Sequence, residues 1–373
     1  VGPRTPYYRI TVEDVDITPW VSAVTVVEDD RQTDNVTVTI QDPRMIYADA
    51  LLEGSTVEVD MGYAENDEHA LMLRAILTKV ELSYPESGMP SLTLKGDDRS
   101  IEMGLEERKA VWRDLTVTGI VKRIAANHGF RQVEAHLDPD PKIVHGKPIH
   151  QDGKTDLALL QELAKTYHAK CFVELDEKGQ EVLYFIPERR VVTLRRPDQL
   201  VLRYRMGPDS NLLSFSPSFD SSYIDRLKAK DDVDDKGQAI KTRDKSPTET
   251  VVWSLDPAFT GRANTADRTK VQDLYDRGKE RKRTLQQKLT RPKKVAGEVA
   301  RDQADLEATN DFLEAHRLGM TGSGTTFGNI WLRAKSSIDI QGVNNRFNGR
   351  WYVPNVTHKI DGGGYRTEFK CVR

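Results

Sequence analysis

The sequence predicts a mainly β chain with an α+β part: β-rich segments at both ends, a small α+β domain between them, and a helical insertion inside the second β-rich segment. Three observations carry this. Period-two alternation fills the first hundred residues and returns at the end of the chain. Stripes at spacings of three and four mark helices between them, and the final strand pattern repeats that of the first segment.

The 373 residues suffice for two to four domains at about 150 residues each. Apolar residues at 38% and charged residues at 30% lie far from the composition of disorder, so real cores can form. With 55 basic against 58 acidic side chains, net charge −3, the surface lacks the field needed to grip nucleic acid or anionic lipid along its length. Cys171 and Cys371 share no metal or redox spacing, which excludes a disulfide scaffold and suits folding in a reducing cytoplasm. The first eight residues lack an apolar run, and nowhere do eighteen apolar residues follow one another. Neither a signal peptide nor a membrane span is therefore expected.

Residues 1–107 read as the first β-domain. Ile10-Thr11-Val12, the run 21–27, and Val36-Thr37-Val38-Thr39-Ile40 alternate apolar with polar side chains, as do 57–61, 76–82 and 92–94. Short strands separated by acidic turns argue a sandwich or barrel. Residues 108–190 read as α+β. Thr118 is the expected cap of a helix with Ile120, Val121, Ile124 and Ala125 on one face, ended by Gly129. Thr155 precedes a second helix with Leu157, Leu160, Leu163, Ala164 and Tyr167 on its buried stripe, followed by a hairpin of 171–175 and 182–186. Residues 191–235 and 315–373 form the second β-domain, interrupted at 236–314 by a charged loop and two helices, 266–289 and 295–318. The polar stretch 231–247 reads as loop.

The tail repeats the first segment. Val57-Glu58-Val59-Asp60 answers Ile338-Asp339-Ile340-Gln341, Ile76-Leu77-Thr78-Lys79-Val80 answers Tyr352-Val353-Pro354-Asn355-Val356, and Leu92-Thr93-Leu94-Lys95 answers Thr367-Glu368-Phe369-Lys370. A duplicated unit has a geometric consequence. A closed ring of three chains would show six similar faces and could match a six-fold partner.

The tail stretch with Gly322, Gly324, Phe327, Gly349, Tyr352, Gly362, Gly363 and Gly364 resembles the phage late control gene D family, baseplate hub proteins of contractile tails related to the N-terminal part of the VgrG spike. Thr18-Pro19-Trp20, the runs 26–30, 36–42 and 156–163, and Leu213-Ser214-Phe215-Ser216-Pro217 extend the resemblance over nearly the whole chain. It implies two tube-protein-like β-barrels per chain and a homotrimer that adapts a six-fold tail tube to a three-fold spike. The implied partners are the tail tube protein, a spike protein, baseplate wedge proteins and the tape-measure protein, with DNA passing through unbound. The implied location is the virion tail baseplate, with assembly in the host cytoplasm. The insertion is longer and more basic than the family pattern. Because the sequence stops at Arg373, the spike is expected to be a separate polypeptide.

Chemistry-bearing motifs are sparse. No pair of histidines has the helical zinc spacing, and His145, His150, Asp152, Asp138 and Asp140 fall among prolines and glycine, which suits a solvated loop. The glycine-rich stretch 319–328 lacks the Gly-Lys-Ser/Thr ending of a phosphate loop and reads as flexible linkage between insertion and β-domain. No serine has a nucleophile-elbow setting. No enzyme, cofactor or metal is expected. The basic run Arg277, Lys279, Arg281, Lys282, Arg283, Lys288 and Arg291 is read as one helix face docking an acidic baseplate partner, since no aromatic residues interleave to stack bases. Residues 115–130 also resemble half of a LysM unit. A peptidoglycan-binding or cell-wall hydrolase component, and an effector-carrying hub of a secretion system, are therefore the alternatives to a structural hub.

Overall fold

The computed structural model describes residues 4–143, 148–176, 178–187, 190–191, 200–220, 227–229, 232–233, 239–240, 265–288, 291–293 and 319–373. The first segment forms β1 (Pro6–Val12), β2 (Val15–Asp16), β3 (Val21–Asp29), β4 (Asn35–Gln41), β5 (Thr56–Tyr63), β6 (Glu68–Ser83) and β7 (Ser91–Asp97). Its alternation does the folding. Val24 and Val26 of β3, Val36, Val38 and Ile40 of β4, and Leu92 and Leu94 of β7 all point into one core and are buried. Each such side chain contributes about 1.5–3 kcal/mol when removed from water.

The middle segment forms β8 (Glu107–Trp112), α1 (Val117–Asn127), β9 (Gln132–Ala135), β10 (Ile149–Thr155), α2 (Asp156–Thr166), β11 (Ala169–Leu175) and β12 (Glu181–Pro187). Both helices bury their expected faces against β11 and β12 in a separate core. Thr155 caps α2, accepting from the Ala158 N–H at 3.2 Å. The cap of α1 is Thr116 rather than Thr118: Thr116 Oγ1 accepts from the Gly119 N–H at 3.1 Å, whereas the Thr118 hydroxyl, already in the helix, donates to Asp140 at 2.5 Å. Gly129 takes the left-handed conformation, φ 69°, that ends the helix.

The remainder forms β13 (Leu200–Arg203), β14 (Leu212–Phe219), the short β15 (Leu227–Ala229), β16 (Asp232–Val233) and β17 (Ala239–Ile240), α3 (Thr265–Lys288), β18 (Arg291–Lys293), β19 (Met320–Phe327), β20 (Ser336–Gln341), β21 (Gly349–Asp361) and β22 (Gly364–Val372). The stretch 231–247, expected as loop, contains the paired β16 and β17. The expected helix 295–318 lies outside the described residues.

Residues 319–328, expected as a flexible linkage, are a sheet strand instead: β19 lies between β14 and β22. Glycine argues against a strand by propensity, but here it makes room for aromatic rings. A Cβ on Gly324 would stand 2.5 Å from the Phe369 ring, and one on Gly322 2.9 Å from the Phe215 ring.

A single large sheet runs β14-β19-β22-β21-β3-β4-β7-β6-β5-β1-β2, with β20 also on β21 and β13 on β20. The two β-rich segments, read as separate units from their patterns, are therefore joined edge to edge where β21 pairs antiparallel with β3, from Asn355↔Asp29 to Ile360↔Val24. The core of the first segment takes in Ile330, Ile360 and Tyr365 from the second.

Candidate functional site

Two sets of six strands obey one topology. In chain order the first set is β1, β3, β4, β5, β6, β7 and the second is β13, β14, β19, β20, β21, β22. In sheet order they read β3-β4-β7-β6-β5-β1 and β14-β19-β22-β21-β20-β13. The registers match as well. Val24↔Val38 is answered by Phe215↔Gly324, Val38↔Leu94 by Gly324↔Phe369, Val80↔Leu94 by Val356↔Phe369, and Val57↔Ala75 by Ile338↔Trp351.

Local irregularities recur at the same places. A register shift between Val21 and Ala23 is matched between Leu212 and Ser214, and one between Leu77 and Lys79 is matched between Tyr352 and Asn355. Gly54 and Lys335, three residues before the matched Val57 and Ile338, both have positive φ, 90° and 63°; each donates its N–H to the fifth strand, at Leu77 O (2.7 Å) and Val353 O (2.8 Å). Unrelated meanders share strand order but have no reason to share bulges and a left-handed residue. One difference stands out: β1 is antiparallel to β5, whereas β13 is parallel to β20.

The junction of the two sets carries a buried polar cluster. Period two along β3 places Glu28, and then Asp30 beyond it, in phase with buried Val24 and Val26. Arg333, in the approach to β20, donates to Glu28 and, at 3.0 Å, to the Met72 carbonyl; the Ala334 N–H donates to Glu28 at 2.9 Å. Asp30 accepts from Tyr352 Oη at 2.9 Å and pairs with Lys170 of β11 at 2.7 Å. Lys335, 2% exposed, donates from Nζ to Asp34 at 2.9 Å and to Glu174 of β11 at 3.2 Å. Asp34 in turn donates its N–H to Asp98 at 2.7 Å. All three segments of the chain meet here.

Burial pushes the Asp34 carboxyl up to about 8, Lys335 opposing the shift and Asp98, Glu28 and Glu174 adding to it. Burial likewise pushes Asp98 up to about 6. Breaking a buried pair such as Lys335 with its carboxylates costs about 3–5 kcal/mol, because a buried charge is left uncompensated. The cluster thus fixes the relative placement of the segments, and the cavity against it, lined by Asp34, Asp98, Glu174 and Arg333, measures about 20 Å³, room for about one water.

The glycine-rich tail residues fall into structural roles along β19, β21 and β22. Gly322 and Gly324 admit the aromatic rings, Gly349 opens β21 at φ 108°, and Gly362, Gly363 and Gly364 form the β21–β22 turn, where Asp361 Oδ1 accepts from the Gly363 N–H at 2.7 Å. Tyr352 reaches Asp30, and Phe327, half exposed, ends β19.

The basic run divides. Arg277, Lys279, Arg281, Lys282, Arg283 and Lys288 lie on α3, but Arg291 lies in β18. Arg291 precedes Pro292, which disfavours helical backbone at that residue. Two apolar residues of the expected stripe on α3 face solvent, Leu274 at 70% exposed and Val271, while Tyr275 is partly covered with Lys279 over its ring.

A groove of about 460 Å³ lies in the middle segment, lined by Glu106, Glu107, Arg108, Trp112, Gln151 and Asp156. Asp156 is held by His128 at 2.8 Å, Gln151 at 2.8 Å and Arg108 at 3.4 Å, while Glu106 holds Arg108 at 3.1 Å. Asp156 and Glu106 are thus each engaged as acceptors by a neighbouring side chain. Among the described residues no three of His, Cys, Asp and Glu converge as metal ligands. His145 lies outside them, and Asp140 is taken by Thr118.

The sequence pattern does not single out Glu28, Asp30, Asp34, Arg333 or Lys335. The available signal was phase: an acid continuing the buried face of an alternating strand, and two cations in the otherwise apolar run Ile330 to Lys335.

Neither a family model nor a curated protein sequence matches the chain. Solved structures do. A tail protein from Neisseria meningitidis MC58 superimposes with a TM-score of 0.65 at 14% identity, covering 99% of this chain and 97% of that one. The chain has the fold of a phage tail protein. The 43 kDa tail protein of prophage MuSo2 from Shewanella oneidensis gives a TM-score of 0.62 at 12% identity over 99% of this chain and 98% of that one. An E. coli component of the type VI secretion system, described as similar to T4 tail proteins gp27 and gp5, gives 0.58 at 11% identity over 97% and 76%. This tail-protein fold extends through the middle segment and both strand sets, since each likeness spans nearly the full chain.

Proposed function

We propose that the chain is a structural baseplate hub of the late control gene D type, in a contractile phage tail or a related injection system. Three copies close into a ring whose six strand sets seat a six-fold tail tube on one side, while the other side keeps three-fold symmetry for the spike. The observation that carries this reading is the duplicated topology with its registers and irregularities intact, because only near-equivalent units allow three chains to offer six equivalent contacts. The likeness to tail proteins supports the same reading.

The role is mechanical rather than catalytic. Backbone pairing and apolar packing close the ring, the tube sits on its rim, and DNA passes through without specific binding, in keeping with the weak net charge of −3. Wedge and tape-measure proteins are the remaining partners, and no membrane contact is required.

Light scattering should give three times the 42.2 kDa chain mass, and end-on electron micrographs should show six density lobes. A monomer at high concentration in the presence of tube protein, or three lobes only, would contradict the reading.

A further inference from the structure

The chain contains one junction between its strand sets and the edges of another. At the internal junction, β3 uses one edge for β4 and the other for residues 355–360 of β21, beyond the stretch that β20 covers. In the second set β14 takes the place of β3, and one of its edges holds β19; among the described strands nothing lies on the other. In the first set β6 takes the place of β21. Its pairing with β5 stops at Ile76, so among the described strands nothing lies on that edge at residues 79–84.

From these equivalences we infer that a second copy of this chain docks edge to edge, β14 of one copy pairing antiparallel with residues 79–84 of the next. The internal register Val24↔Ile360 to Asp29↔Asn355 translates into Phe215↔Tyr84, Ser216↔Ser83, Pro217↔Leu82, Ser218↔Glu81, Phe219↔Val80 and Asp220↔Lys79. This rests on the ring reading above and specifies its contact.

The side chains agree with the translated register. The positions buried at the internal junction, Val356, His358 and Ile360, correspond to Val80, Leu82 and Tyr84, which are apolar although Leu82 is 44% and Tyr84 60% exposed. On the other strand, buried Val24, Val26 and Glu28 correspond to Phe215, Pro217 and Phe219, which are only half-buried. The ion pair of the internal junction is replaced by an apolar pair. Glu28 with Arg333 becomes Phe219 with Leu52, which explains a leucine left 60% exposed before β5. Asp29, bonded by Asn355 at 3.0 Å, becomes Asp220 opposite Lys79. Pro217 supplies no N–H, so its rung rests on contact with Leu82; a proline also limits which foreign strands can add to this edge. The contact is head to tail, and it closes when the rotation between successive sets divides a full turn.

The test is a double variant, Ser83→Cys with Ser216→Cys, placed at two exposed serines that the register sets opposite each other. The native Cys171 and Cys371 thiols are held up by burial and do not compete. Mild oxidation followed by denaturing mass measurement should give covalent oligomers closing at three chains, with neither single variant forming them. Leu82→Lys should weaken self-association at least tenfold while leaving the near-ultraviolet circular dichroism unchanged. A three-chain native mass without the cross-link overturns the register but leaves the ring. A protein that stays monomeric overturns both.

Discussion

Lys335 occupies the place that Gly54 has in the first strand set, and a lysine with positive φ persists there because its ammonium reaches Asp34 and Glu174 at once. Duplication thus preserved the backbone while the side chain acquired a new task, joining the three segments. The acid beneath it sets a pH dependence. In the unfolded chain Asp34 loses its proton near 3.8; in the folded chain burial holds it to about 8, and Asp98 behaves alike up to about 6. The folded state binds more protons between those values, so stability falls as pH rises through that window. The unfolding temperature should therefore decrease from pH 6 to pH 8, and Asp34→Asn should flatten the decrease. An unchanged slope in the variant would assign the dependence to other groups. None of this was legible in the sequence, where Glu28 and Asp30 look like the acidic turn after β3. Only the phase of the strand points them inward.

At the scale of elements, residues decided by local chemistry were legible and residues decided by a neighbour were not. The Thr155 cap, the stripe of α2, the hairpin of β11 and β12, and the alternation of β3, β4 and β7 follow from spacing, and the structure has them. The strand β19 was hidden because glycines 322 and 324 read as linkage, and their reason, the rings of Phe215 and Phe369, lies on other strands. The basic helix belongs to this scale too. α3 presents exposed Arg277 and Arg281 and half-buried Lys279 beside exposed Val271 and Leu274, an arrangement suited to a docked partner of opposite charge. On the hub proposal, reversing Arg277, Lys279 and Arg281 to glutamate should abolish baseplate incorporation, read by electron microscopy of assembled particles, while the native mass of the purified protein stays constant. Normal incorporation would remove α3 from the docking surfaces.

Across the whole molecule, the repeat seen in the sequence predicted two similar units, but not that they share a sheet and a core. Pairing between β3 and β21 joins residues more than three hundred positions apart, a contact that no local pattern announces. It has a consequence for stability. The first set depends on Ile330, Ile360 and Tyr365 to complete its core, and its buried acids Glu28, Asp30 and Asp34 depend on Arg333, Lys170 and Lys335 for compensation. Removing the second segment therefore exposes the β3 edge, opens the core and strands several carboxylates, each loss worth more than 1 kcal/mol against a typical domain stability of about 5–15 kcal/mol. Residues 1–107 expressed alone should show no cooperative thermal transition, whereas the full chain should unfold with the first and second sets in one transition. Calorimetry decides this. A sharp transition for 1–107 near that of the full chain would mean that the first set is self-sufficient and that the shared sheet is a contact between finished domains.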